Sequence, residues 1–285
     1  MSAGGESGKR RRRRANPTST APEAATETQT AAGAPDLSIV VPAYNEAPGL
    51  QPRLQTLYDL LRGEPYSADV IIVDDGSDDE TAEVVESFAA EHAAFSLLRN
   101  PHRGKAYAVA TGIMSAAGRN ALFMDMDLAT SLRHTGEFLR ALESGSADVV
   151  IASRKKRGAV RRGTPLSRRA MSKAFNLLVQ ALLLPGLSDT QCGFKAFRRD
   201  VARDLFSNMR VFVDEQPVSG PLSTAFDVEL LVMARRRGYR IKELPVRWRH
   251  VASRRVSALR DPHRMLLQVL RVWLNERRGL YGGRR

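Results

Sequence analysis

Ala121-Leu122-Phe123-Met124-Asp125-Met126-Asp127 is the stretch whose reading decides the fold. An apolar run with strand character ends there in two carboxylates separated by one residue. Side chains alternate faces along a strand, so Asp125 and Asp127 point the same way at its carboxyl end. Two adjacent anions are costly unless a cation stands between them, and a hard divalent ion with oxygen ligands fills that role. Mg2+ takes one or two protein carboxylates and leaves its other positions to water and substrate phosphates. The pair therefore reads either as a metal site that grips a diphosphate or as two solvated acids at a strand exit.

Upstream, apolar segments of two periods alternate. Leu37–Val41 is a β-branched strand ended by Pro42, and Val70–Val73 is apolar throughout, as in a strand buried on both faces of a parallel sheet. Between them, Leu50, Leu54, Leu57, Leu60 and Leu61 recur at the helical period over Leu50–Arg62. A helix to about His92, a strand at Phe95–Leu98, a helix at Gly104–Ala117 and a strand at Val149–Ala152 continue the pattern. Such alternation predicts an α/β fold with a mostly parallel sheet flanked by helices, whose ligands bind beyond the carboxyl ends of the strands. Four polar clusters fall at those ends: Tyr44-Asn45-Glu46, Asp74-Asp75, Asn100 to Lys105, and Asp125-Met126-Asp127. Neither a Gly-x-Gly-x-x-Gly turn nor a Gly-Lys-Ser/Thr loop accompanies them, which argues against dinucleotide and P-loop enzymes.

Charge is divided unevenly. Residues 37–153 carry a net −9 and residues 154–285 a net +20, so an acidic half holds the carboxylate pair and a basic half must meet something anionic. Residues 1–36 have a Lys9–Arg14 run and almost no large apolar side chains, the composition of a disordered basic tail. That run suits a nucleic-acid arm, a membrane-surface tether or a solubilising extension. A single cysteine, Cys192, excludes an intramolecular disulfide and fits a reducing compartment. The longest uncharged run, Ala174–Ser188, is shorter than the roughly 20 residues a membrane span needs, and no hydrophobic leader precedes Leu37.

Pro42-Ala43-Tyr44-Asn45-Glu46, Val73-Asp74-Asp75-Gly76-Ser77-x-Asp79 and Asp125-x-Asp127 together resemble the inverting GT-A glycosyltransferases of family two. Asp189-Thr190-Gln191-Cys192-Gly193-Phe194-Lys195 and Phe226-Asp227-Val228-Glu229-Leu230 resemble the dolichyl-phosphate (polyprenyl-phosphate) β-glucosyltransferases, relatives of the dolichol-phosphate mannose synthases. The likeness implies a GT-A catalytic domain over residues 37–260, followed by an amphipathic basic helix and tail over 261–285.

The resemblance also implies roles. Pro42, Tyr44, Glu46, Asp74 and Asp75 would hold the base and ribose of a sugar nucleotide, with Lys105 at the nucleotide and Arg255 closing near the diphosphate. For Asp75-Gly76-Ser77 the alternative is a turn plus a helix cap. Asp125 and Asp127 would hold Mg2+ or Mn2+ on the diphosphate oxygens and offset the charge of the leaving group. A lipid phosphate acceptor is already anionic, so a strong general base is not required. Fixed cations are, and the segment 151–170 holds eight basic residues and no acid. Of these, Arg154 and Arg168 are assigned to the acceptor phosphate, with Lys195 a further candidate. Asp189 orients arginines or the acceptor oxygen, or else pairs structurally with a neighbouring arginine. Asp227 and Glu229 are separated by the helical period of their segment, and Asp227 is preferred as the site residue.

The reading is a cytoplasmic-face enzyme that moves glucose from UDP-glucose to a polyprenyl phosphate with inversion. GDP-mannose as donor and a soluble acceptor are its rivals. Basic apolar helices at Ser167–Leu184 and Met265–Leu274 read as core helices or as peripheral membrane contacts. A specific nucleic-acid partner is not expected, given the acidic first half and 6% aromatic content.

Overall fold

The computed structural model describes residues 33–163, 166–211, 225–251 and 261–282 of the 285. Its central sheet begins with strands β1 (Leu37–Ala43), β2 (Ala68–Asp74), β3 (Phe95–Arg99) and β4 (Asn120–Met124). Further along the chain come β5 (Val149–Ser153), β7 (Phe194–Arg198) and β8 (Ile241–Pro245), and the order across the sheet is β3-β2-β1-β4-β7-β5-β8. Strands β1 to β4 run parallel, β7 lies antiparallel between β4 and β5, and β5 and β8 are again parallel. The sheet is thus mostly parallel, with one reversed strand that periodicity did not reveal. β7 reads Phe-Lys-Ala-Phe-Arg, and a buried lysine at its second position, with an exposed arginine at its end, hides it from an apolar-run search.

Side chains alternate between two cores, as the pleat requires. Val40 of β1 faces a core shared with helices α3 (Lys105–Ser115), α5 (Leu166–Leu182), α6 (Arg199–Ser207), α7 (Phe226–Arg236) and α8 (Asp261–Arg277). Ile39 and Val41 face the opposite core, covered by α1 (Leu50–Arg62), α2 (Thr81–Glu91) and α4 (Thr135–Glu143). A three-layer α/β/α sandwich results, with strand ends one or two residues longer than the apolar runs alone indicate. Asp74, for example, is the last residue of β2.

Two features open a crevice at the upper edge. From β1 the chain proceeds to β2 and β3 on one side, then crosses to β4 on the other, so the rim divides between β1 and β4. Ligands of open parallel sheets bind at such a switch point. Pro42 marks the same place. Pairing between β1 and β4 stops at Val40–Phe123, so proline's missing N–H costs no bond on the β4 side. Beside the rim, β6 (Val160–Arg162) and β9 (Arg247–Arg249) form a separate two-stranded parallel ribbon, in which Arg161 is opposite Trp248.

Candidate active site

Asp125 and Asp127 follow β4 into a small open cleft, lined also by Met124, Ala129, Thr130, Gly193, Phe194 and Trp248. The wall behind Asp125 is glycine by necessity. A Cβ on Gly193 would lie 2.1 Å from the Asp125 carboxylate oxygen, and the Asp125 amide donates to the Gly193 carbonyl at 3.2 Å. Asp125 pairs with the Lys105 amine, and Asp127 accepts from the Ala129 amide at 2.9 Å. Burial, with the neighbouring Asp125 charge, pushes the Asp127 carboxyl above its ordinary range. Burial works against the Lys105 charge, but Asp125, Asp227 and Asp127 outweigh it and hold the ammonium's pKa up.

The side of the rim formed by the turns after β1 and β2 is tied together by carboxylates. Asp74 bonds the Ser77 hydroxyl, which also accepts from the Asn45 amide at 2.9 Å, while the Asn45 side chain accepts from the Asp78 amide. The turns after β1 and β2 are thereby fastened to each other. Asp75 is buried and accepts from the Arg103 and Gly104 amides at 3.0 and 2.9 Å; its Oδ2 lies 2.8 Å from Nδ1 of His102. Burial raises its pKa, and these donors offset part of the rise. The sequence assigned Asp75 to the ligand; in the structure its oxygens organise the 102–104 loop. What they position is a ring platform, because Tyr44 stacks on His102 with centroids 4.0 Å apart and planes 3° from parallel. His102 was missed as a site residue. Its signal was only its place inside the polar Asn100–Lys105 cluster. Glu46 pairs with Arg53 at 3.1 Å and adds to the negative potential at Asp127.

On the other flank, Arg154 follows β5 and grips Asp189 with two side-chain bonds of 2.7 and 2.8 Å, while its amide adds a third at 2.9 Å. Asp189 is buried, and burial alone would raise its pKa; the Arg154 guanidinium overcomes this and holds the carboxyl below the usual range. Glu243 fixes the approach by accepting from the Ser188 and Asp189 amides at 3.0 and 2.7 Å.

Asp227 and Glu229 fall on different faces of α7. Asp227 meets Lys195 at 2.5 Å, whereas Glu229 accepts from the Arg210 and Val211 amides and the Tyr281 hydroxyl at 2.9, 3.0 and 2.8 Å. Lys195 itself is fully buried, donating to Asp227 and to the Cys192 carbonyl at 2.6 Å. That corrects its candidacy for an acceptor phosphate: an amine sealed from solvent between two protein acceptors cannot serve as the landing point. Arg168 lies on α5 with its side chain outside the described part, and Arg255 falls outside the described residues. Trp248, absent from the sequence-level candidates, closes the cleft beside both β4 carboxylates.

The donor set fits a divalent cation whose coordination the substrate completes. Two carboxylates share one cleft, Asp127 with its proton affinity raised by burial and by the Asp125 charge, and among the described residues no cluster of three Asp, Glu, His or Cys side chains could hold a metal alone.

A mostly parallel sheet thus carries a carboxylate pair at its switch point, with a stacked-ring platform on the same rim. Residues 38–206 match the family model described as glycosyl transferase family 2, and the chain belongs to that family. It is 35% identical over 262 residues to glycosyltransferase AglD of Haloferax volcanii, which aligns with 90% of this chain but with only 39% of AglD. Dolichyl-phosphate beta-glucosyltransferase of Drosophila melanogaster is 32% identical over 256 residues, covering 84% of this chain and 74% of that one. Among solved structures, a glucosyl-3-phosphoglycerate synthase of Mycobacterium tuberculosis with Mn2+, UDP and glucosyl-3-phosphoglycerate superposes with a TM-score of 0.58 at 20% identity, covering 86% and 80% of the two chains. The mannosyltransferase PcManGT of Pyrobaculum calidifontis, solved with GDP-Man and Mn2+, gives 0.55 at 21% identity, covering 86% and 65%.

Proposed function

We propose that this glycosyltransferase moves glucose from UDP-glucose to a polyprenyl phosphate, inverting the anomeric centre. One observation carries the reading: the Asp125–Asp127 pair and the Arg154–Asp189 pair flank the same rim, one suited to a metal-bound diphosphate and the other to a second anion. The relatives named dolichyl-phosphate beta-glucosyltransferase, at about 30% identity, support the acceptor class and the sugar. The solved neighbours carrying Mn2+ support a divalent ion.

In this reading Tyr44 and His102 receive the base, and the turns held by Asp74 and Asp75 receive the ribose. Asp125 and Asp127 hold Mg2+ or Mn2+, which supplies Lewis-acid stabilisation of the departing nucleoside diphosphate. Lys105 adds a fixed charge next to the same oxygens. The acceptor arrives as an anion, so this chain's task is to bring two negative groups together rather than to remove a proton. Arginine suits that task, because its planar fork matches phosphate.

Peripheral association with a membrane completes the proposal. No helix among the described residues is long and apolar enough to cross a bilayer. The outer face of α8 nevertheless exposes Leu266, Leu267, Leu270 and Leu274, with Arg271, Arg277 and Arg278 along it, while Val269 and Val272 are buried on its inner face. Such a helix suits the headgroup layer of an anionic surface.

The test is transfer of radiolabel from UDP-glucose and, separately, GDP-mannose to a polyprenyl phosphate, followed by solvent partition. Label from UDP-glucose in the organic phase supports the proposal. Label from GDP-mannose alone replaces the donor, and label confined to water-soluble product removes the lipid acceptor.

A further inference from the structure

Strand β9 is three residues long, and its place beside the cleft depends on few bonds. Its middle residue, Trp248, lies opposite Arg161 of β6 and lines the cleft with Asp125 and Asp127. Along its other edge β9 meets the chain that has just left β4. There the Arg249 amide donates to the Ala129 carbonyl at 2.9 Å, and Thr130 bridges Trp248 in antiparallel register. Beyond Ser131 that chain winds into a single 3-10 turn, Leu132–His134. The Arg247 amide finds its acceptor in a side chain instead: Nε2 of His134 receives it at 2.9 Å. Trp248 is thus held by one bond on each side, to a carbonyl after it and to an imidazole before it.

The imidazole bond depends on charge state. A ring nitrogen that accepts carries no proton, so His134 is neutral here with its hydrogen on Nδ1. Protonation would set a donor against the Arg247 N–H and break the contact. The surroundings favour the neutral form. Burial lowers the pKa of His134 below its ordinary 6.5, and the Arg247 charge acts the same way, while Glu137 of α4 opposes them. Among the described residues those two are the charged groups that bear on it. Because the folded pKa is depressed, the bond is complete above the ordinary histidine range and is lost as pH falls through the folded value.

We propose that His134 is a positioning residue of the transfer site: it accepts the Arg247 amide, holds Trp248 at the cleft, and releases the ring when it gains a proton. The role in transfer rests on the reading of this cleft as the reaction site. The placement of Trp248 is read without any substrate, so the two can fail separately.

The experiment uses the full chain, whose two tryptophans are Trp248 and Trp273. In a Trp273→Phe background, Trp248 emission is followed from about pH 8 to about pH 5, across the histidine range. The expected result is a step with its midpoint below 6.5 that disappears in His134→Gln, whose amide oxygen accepts without titrating. Other charged or titratable groups also face the indole. His250 tilts against it at 5.8 Å, Arg154 and Arg161 lie over it, and Asp125 and Asp127 share its cleft. All of them stay in place in His134→Gln. A step that survives this substitution, or that vanishes in His250→Gln instead, overturns the proposal, as does flat emission in the parent. In transfer assays at neutral pH, His134→Leu should lower kcat/KM by about five- to tenfold, the weight of one neutral hydrogen bond, and His134→Gln should restore most of it. Equal loss in both variants, or loss in neither, overturns the positioning role. If no sugar nucleotide is transferred at all and the emission step still follows His134, the assigned function fails and the placement of Trp248 stands.

Discussion

Gly193→Ala perturbs the carboxylate pair without touching a charge. The added methyl would sit 2.1 Å from one Asp125 carboxylate oxygen, 2.5 Å from its Cγ and 2.7 Å from the other oxygen, all inside the 3.0 Å that real Cβ atoms respect. Asp125 cannot simply absorb this, since its amide bonds the Gly193 carbonyl and its carboxylate bonds Lys105. Relief therefore requires the carboxylate to swing by about 1 Å or more, a displacement that costs on the order of a hundred-fold in rate when it misplaces reacting groups. The expected outcome is kcat/KM down by about a hundred-fold, with Mn2+ dependence shifted to higher concentration. Stability should fall by only about 1–3 kcal/mol, the usual cost of overpacking. Measuring turnover against Mn2+ concentration, alongside a thermal melt, separates the two effects. A Gly193→Ala enzyme with wild-type turnover and wild-type Mn2+ dependence would refute the placement of Asp125.

Three further outcomes follow from the same geometry. Lys195→Met strands the Asp227 carboxylate in a buried place and should cost about 3–5 kcal/mol by chemical denaturation, while Lys195→Met with Asp227→Leu should recover much of that loss. The Asp189 carboxyl has its folded pKa depressed, so its stabilising contribution is complete above the ordinary aspartate range and is lost as pH falls below it. Arg154→Gln should therefore flatten the acid limb of a stability–pH profile, and an unaltered limb would count against the pairing. On α8, replacing exposed Leu267 and Leu270 with Asp should abolish sedimentation with anionic vesicles and leave the melting temperature within a few degrees, because both side chains face away from the core. Retained sedimentation would point to a different surface.

What the sequence disclosed and what it withheld have physical causes. Parallel strands such as Val70–Val73 and Leu37–Val41 are buried on both faces, so their apolar runs stand out, and the polar residues after them mark the rim. Asp125 and Asp127 were legible as a carboxylate pair just past an apolar run, but β4 ends at Met124, so a turn closed by the Leu128 amide on the Asp125 carbonyl, and not the strand pleat, brings both to the cleft. β7 was hidden because Lys195, an interior ion-pair partner, interrupts its apolar pattern. Trp248 was hidden for another reason. It stands in Arg-Trp-Arg, a three-residue strand with no period to read, and only the pairing of residues 160–162 with 247–249 brings it to the cleft. Asp75 illustrates a third limit, since a carboxylate in an Asp-Gly-Ser turn looks equally suited to a ribose or to backbone amides. Its bonds from the Arg103 and Gly104 amides come from a loop that no local pattern links to it.

The clamp at the sheet's upper edge is tested most directly by locating Mn2+ in crystals grown with UDP, using the anomalous signal of the metal. The account predicts one strong peak within bonding distance of carboxylate oxygens from both Asp125 and Asp127, with Lys105 moved off Asp125 or shared with a phosphate oxygen. A peak elsewhere, with the Lys105–Asp125 pair intact and neither aspartate touching the ion, would contradict it.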